Sequence, residues 1–379
     1  MPTKPSRFAT QIVGSWCKPH WLADHDLVYG REGTWWRVPP QYRADALDDA
    51  VRLAVFDQNR AGLSYQTDGE CRRQTFSGHF YAFGGIDSDE QGAVTNFSND
   101  VGEYLTMKQR PASSPADDDD GDGDAADDGA GPSPAPVFRQ PRVVGPLSWE
   151  RSILADDARF LKRYAAGLTK VTVIGPVTLA LRLVDEHYGS LAEMTLALAD
   201  VINHELRALQ DVGVDLIQID EPEVHFRYSQ VVDFAAEAID RALAGIETRT
   251  AVHMCYGYSK NIAEKRATPV YEQALSVLAS TSVDEISIEY EQPRHQPDLL
   301  EHAGDKCVTL GVLDLDTEAS VETVDHVVSR ATDAVSVLGP DRLRLGPDCG
   351  MWFLPRDHAF AKIEAMEQAA ARLRERFPA

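Results

Sequence analysis

Eight short apolar runs alternate with amphipathic stretches along this chain, and that alternation limits the possible folds more than any other feature. The runs are "TQIVGSW" (10–16), "LSYQTD" (63–68), "VTVIG" (171–175), "VDLIQID" (214–220), "RTAVHMC" (249–255), "VDEISIE" (283–289), "CVTLGVL" (307–313) and "RLRLG" (342–346). Each has the length of a strand, and most are rich in β-branched residues. Between them the spacing predicts helices over 42–61, 154–167, 190–212, 229–244, 269–280, 319–338 and 357–375. In the first, Leu47, Ala50, Val51, Ala54 and Val55 share one helical face and Gly62 ends it; Gly213 ends the third. Strands joined through helices pair in parallel, and eight of them predict a closed (β/α)8 TIM barrel, with an open doubly wound sheet as the alternative. The whole of 1–379 then reads as one barrel domain.

The stretch 75–147 is too long for a simple crossover. It predicts a long excursion after strand 2, with "PRVVGPLSW" as a hairpin strand. Within it, residues 111–136 hold eight aspartates between Asp117 and Asp128 and no run of large apolar residues, so they predict a disordered acidic insert. Those aspartates supply a third of the formal net charge of −23, and the remainder is still acidic. Binding of nucleic acid needs clustered Lys and Arg, so that partner is not expected. No apolar run is long enough for a membrane span, and the N-terminus lacks a basic segment followed by an apolar core. The five cysteines are odd in number and widely spaced. Together these features predict a cytoplasmic protein with free thiols.

The ends of the strand runs carry the chemistry. "QIVGS" ends at Ser15, "LSYQTDGE" at Asp68 and Glu70, and "LIQIDEP" at Asp220 and Glu221. "AVHMC" ends at His253 and Cys255, "ISIEYE" at Glu289 and Glu291, and "LRLGPDCG" at Asp348 and Cys349. Active sites of such barrels lie at the C-terminal ends of the strands, so six polar endings predict a shared functional mouth. His253 and Cys255 are two residues apart, and side chains i and i+2 of a strand face one way. Read alone, that pair is a core histidine beside an inert thiol. With Cys349 and either Glu289 or Glu291 it becomes a set of N, S and O donors suited to tetrahedral zinc, Zn2+.

The motifs "VGS" (13–15), "DGE" (68–70), "GPVT" (175–178), "QIDEP" (218–222), "HMC" (253–255), "SIE" (287–289) and "PDCG" (347–350) resemble, in content and order, the C-terminal catalytic domain of cobalamin-independent methionine synthase. The resemblance runs from about Thr10 to Arg356. It implies the barrel fold, zinc bound by His253, Cys255, Glu289 and Cys349, and the amino-acid part of homocysteine held by Ser15, Glu70 and Asp220. It implies transfer of a methyl group to a small thiol, homocysteine, giving methionine. Full-length members carry a second barrel, for which 379 residues leave no room, so the chain is similar to the short, single-barrel members. Two departures concern the donor. "LALRLVDEHYG" after "GPVT" lacks the family's folate-stacking tryptophan, and Asp316 stands near the place of its catalytic histidine. They point away from methyl-folate and toward a methylated corrinoid protein or another alkyl donor.

Rival readings are an alkyltransferase for another thiol, such as a coenzyme M-type acceptor, and a uroporphyrinogen decarboxylase-like enzyme. The latter needs no metal and has no use for "HMC" with "PDCG". Trp35, Trp36 and Arg37 are expected to serve packing, and Cys17, Cys71 and Cys307 to be structural.

Overall fold

The computed structural model describes residues 6–24, 36–88, 140–256, 270–316 and 319–378; the predicted acidic insert at 111–136 and Trp35 lie outside them. In chain order the strands are β1 (Tyr65–Gln66), β2 (Gly84–Asp87), β3 (Arg142–Ser148), β4 (Leu168–Ile174) and β5 (Val184–Asp185). They continue with β6 (Leu216–Asp220), β7 (Arg249–Met254), β8 (Glu285–Ile288), β9 (Cys307–Gly311) and β10 (Leu343–Gly346). Seven form one parallel sheet in the order β1-β4-β6-β7-β8-β9-β10. An eighth stave, the extended segment around Thr10–Trp16, lies between its two edges. It bridges Thr10 to Leu345 of β10 and Ser15 to Gly69 just past β1, and Thr10 O accepts from Tyr65 N–H. The curled sheet is thereby closed, and every predicted run is a stave of the barrel.

Register places the site. Ile174 pairs with Asp220, Asp220 with His253 and His253 with Ser287, so adjacent strands present these side chains side by side. The excursion after the second stave supplies β2 and β3, antiparallel as expected for a hairpin, and β5, from the segment after β4, joins β3 in parallel to complete a separate three-stranded sheet.

The outer helices bury their apolar faces on the sheet. Leu191–Val212 begins where Ser190 Oγ accepts from Glu193 N–H (3.2 Å), and it ends at Gly213 with φ +79°. Met194, Leu198, Ile202, Leu206 and Leu209 recur at helical spacing and are all buried. Two helices differ from expectation. The predicted helix 229–244 is split into Tyr228–Val231 and Ala235–Leu243, because Phe234 leaves helical dihedrals (φ −132°) and packs toward the core. The predicted helix 319–338 starts only at Val324, where the Thr323 hydroxyl accepts from His326 N–H. A short helix, Pro176–Ala180, was not foreseen, since five residues carry no periodic signal. No described helix is long and apolar enough to cross a membrane.

Candidate active site

His253 is the fifth residue of β7, and Cys255 follows the strand end with the same inward parity. Cys349 arrives from the other side, three residues beyond the end of β10. The Cys349 and Cys255 sulfurs are 3.3 Å apart, and one donor atom from each of His253, Cys255 and Cys349 lies within 4.8 Å of the others. All three side chains are buried. His253 Nδ1 is 3.1 Å from Ser287 Oγ, while its Nε2 has no hydrogen-bond partner among the described residues. Burial, aided by the charge of Lys170, lowers the His253 pKa to about 3, so the ring stays neutral. A neutral imidazole with an open nitrogen beside two converging sulfurs suits a soft or borderline metal such as zinc.

The two carboxylates that sequence left open now separate. Glu291 is committed elsewhere, 2.8 Å from Arg330 and 2.7 Å from His326. Glu289 is buried beside the site, and its Oε2 accepts from Tyr256 N–H at 2.8 Å. It is not part of the group of three whose donors lie within 4.8 Å. Asp348, expected at the mouth, instead accepts three backbone N–H bonds from Tyr290, Glu291 and Gln292 (2.9, 2.9 and 2.6 Å) and fixes the turn after β8. Burial holds its pKa well above the usual carboxylate range.

Glu221 is also corrected. It turns away from the lumen and accepts from Val177 N–H, Thr178 N–H and the Thr178 hydroxyl, capping the helix Pro176–Ala180. Asp220, one residue earlier, faces inward, with its Oδ1 accepting from Gln218 Nε2 at 2.7 Å. Burial, followed by the nearby negative charge of Glu70, raises the Asp220 pKa. Two carboxylates close enough to repel each other are a ready receptor for a cation.

Glu70 holds a left-handed backbone, φ +53°, which costs a non-glycine residue energy and is found where geometry matters. Its Oε1 accepts from the Thr172 hydroxyl (2.7 Å), which in turn accepts from Arg73 at 2.9 Å. Arg73 also pairs directly with Glu70 at 3.4 Å, while Arg72 pairs with Asp48 and Asp157. Gly14 explains the "VGS" motif: a Cβ there would overlap Glu70 Oε1. Ser15 joins the two sides of the mouth. It bridges Gly69, and its carbonyl accepts from Met351 N–H at 3.1 Å, two residues past Cys349.

Sequence inspection missed Lys170 and Thr172, which flank Val171 with inward parity. Lys170 is buried below the mouth, donates to Ile12 O at 2.8 Å and has its pKa lowered by burial. Their signal was polarity inside an apolar run. Trp36 packs on Ala23, as do Trp352 and Phe353, and Arg37 pairs with Asp24. Cys17 donates to Met351 O; burial raises the pKa of Cys71 to about 12 and that of Cys17 further still, which keeps both thiols protonated.

Residues 136–372 match the family described as "Cobalamin-independent synthase, Catalytic domain". Two curated relatives named methionine synthase, from Sulfurisphaera tokodaii and Sulfolobus acidocaldarius, are each 27% identical over 97% of this chain and 92% of their own. Among solved structures, a B12-independent methionine synthase from Shewanella sp. W3-18-1, in complex with selenomethionine, superposes with a TM-score of 0.80. It is 26% identical, covering 98% of this chain and 99% of that one. A putative vitamin-B12 independent methionine synthase from Listeria monocytogenes shares the fold at TM-score 0.69 and 16% identity, over 98% of this chain and 99% of its own.

Proposed function

The chain belongs to the family of cobalamin-independent methionine synthase catalytic domains, and we propose that it moves a methyl group to the sulfur of homocysteine, giving methionine. The observation that carries this reading is the convergence of His253, Cys255 and Cys349 in the same barrel mouth as Glu70 and Asp220. One side suits a metal and a thiol, the other an ammonium. Homocysteine has both groups on one short chain. The selenomethionine in the Shewanella relative carries a methyl–selenium group that mirrors the methyl–sulfur group of the proposed product.

His253, Cys255 and Cys349 would hold zinc, with Glu289 as the fourth ligand. The open His253 Nε2 and the paired sulfurs fit that role. When bound, zinc supplies a Lewis acid that favours thiolate over thiol near neutral pH, where a free thiol of pKa about 8.5 is mostly protonated. This chain's residues do the rest. Glu70 and Asp220 bind the substrate ammonium, and Ser15 orients the amino-acid end. The thiol gives up its proton to solvent, its sulfur lone pair attacks the methyl carbon, and the bond between methyl and donor breaks with its electrons staying on the donor. The donor is read as other than free methyl-tetrahydrofolate. No tryptophan follows "GPVT", and Asp316, whose N–H donates to Asp314, stands near the histidine's place. A methylated corrinoid protein fits.

A single-turnover assay with zinc-loaded protein tests acceptor and donor together. Homocysteine should outrun coenzyme M, since unpaired carboxylates cost about 1–3 kcal/mol per lost charged hydrogen bond, and methylcobalamin should outrun methyl-tetrahydrofolate. Preference for the sulfonate thiol overturns the acceptor. Efficient turnover with methyl-tetrahydrofolate overturns the donor.

A further inference from the structure

Behind the proposed metal ligands lies a stack of rings that the reaction does not use. Tyr271, the first residue of the helix Tyr271–Ala279, is buried. Its ring stacks on Tyr256 (centroids 4.4 Å apart, planes 11° apart) and on His295 at 5.1 Å. The Tyr256 hydroxyl is 3.0 Å from His295 Nε2, and His225 meets both tyrosine rings edge-on. The Tyr271 hydroxyl is aimed at two carbonyls, Met254 O at 3.1 Å and Glu289 O at 3.4 Å. Met254 is the residue between His253 and Cys255. One hydroxyl therefore ties the end of β7 to the end of β8. The Tyr256 ring lies against it, and the Tyr256 N–H fixes the Glu289 carboxylate. Burial raises the Tyr271 pKa well above that of free tyrosine, so the group remains a donor.

We propose that Tyr271 is a positioning residue for the metal centre: its hydroxyl sets the spacing of the two strand ends that carry His253, Cys255 and Glu289. This rests on the metal reading given above. Partners that orient metal ligands without touching the ion commonly change affinity 10–100-fold when removed. Here the partner acts on backbone carbonyls, which move the ligands with them. A tyrosine that merely filled space would need its ring and not its hydroxyl.

The test is Tyr271→Phe, which keeps the ring stack and removes the O–H. Zinc affinity, measured by competition with a chromophoric chelator, should fall at least about tenfold. The cobalt-substituted variant should show shifted ligand-field bands, because the donor geometry has changed. Wild-type protein that binds no zinc overturns the metal reading and this proposal with it. Wild-type protein that binds zinc, with Tyr271→Phe matching it within twofold and giving the same cobalt spectrum, overturns the role of Tyr271 alone. Should Tyr271→Phe fail to fold, Tyr271→His serves instead, since it keeps a planar ring but is too short to reach the two carbonyls. A loss of zinc affinity of at least about tenfold supports the proposal, and affinity within twofold of wild type overturns it.

Discussion

The two ends of the barrel lumen are both polar, yet they are built in opposite ways. At the floor, the buried Glu285 carboxylate is taken up by the protein itself. Its Oε1 accepts from Gln11 Nε2 at 2.5 Å and from the Thr309 hydroxyl, and its Oε2 lies 3.4 Å from Arg249. At the mouth, His253 Nε2 has no partner among the described residues, and Asp220 is repelled by Glu70. Hydrogen bonds to both oxygens hold the Glu285 carboxylate in one geometry, although Gln11 Oε1 beside it has no partner among the described residues. At the other end Glu70 and Asp220, although held by Arg73 and Gln218, still repel each other and so favour a cation between them.

The comparison breaks most decisively at Cys349. Cys349→Ser should lower zinc from about one per chain to less than about a tenth of that after dialysis, with methyl transfer at background and the fold intact by circular dichroism. Full zinc by elemental analysis in that variant would remove Cys349 from the ligand set. Next in size is Asp220→Asn, which keeps shape and removes charge. KM for homocysteine should rise about 10–100-fold, as expected for losing one charged hydrogen bond, while zinc content is unchanged. An unaltered KM would take Asp220 out of the amine site.

The floor should behave the other way. Glu285→Gln should cost about 1–3 kcal/mol of stability in denaturant titrations, with zinc affinity and KM within twofold of wild type. A large loss of zinc there would mean that the two ends are not independent. Glu221 sharpens the contrast, because it follows the mouth end of β6 yet turns from the lumen and is hydrogen-bonded by the protein itself. Burial raises its pKa to about 7 against the opposing pull of three hydrogen bonds. A raised acid contributes stability below its unfolded value of about 4.5, and that contribution is lost as pH rises through about 7. Glu221→Gln does not titrate, so its stability relative to wild type should improve between pH 4.5 and 7.5, by at most about 3 kcal/mol. A gap in Tm that stays constant across that range refutes the assignment.

The staves were legible because each is an apolar run bounded by helical periodicity, and the inward donors were legible because parity on a strand is strict. Parity fails once a strand stops. β8 ends at Ile288, so Glu289 and Glu291 have the same parity on paper, yet Glu291 leaves with the loop to meet Arg330. The same limit hid the roles of Asp348 and Glu221, whose partners are backbone N–H groups on other elements. Tyr271 gave no signal at all, because its contact joins a helix start to two strand ends and exists only after all three have packed.

The closing stave has a consequence for how the protein comes into being. Thr10–Trp16 meets the rest of the sheet through isolated bridges, one of them to Leu345 near the opposite end of the chain. Contacts of such long sequence separation form late and slow folding. During synthesis the last staves emerge long after the first, so the ring cannot shut until β10 has left the ribosome. Ser15 then reaches Gly69 and Met351 in the same event that closes the ring. A half-made chain would already hold Glu70, Asp220 and both donors of β7, yet would lack Cys349 and a seated Ser15. On the proposed reading, a site that needs Ser15 and Cys349 together can be completed only once the whole circle has closed.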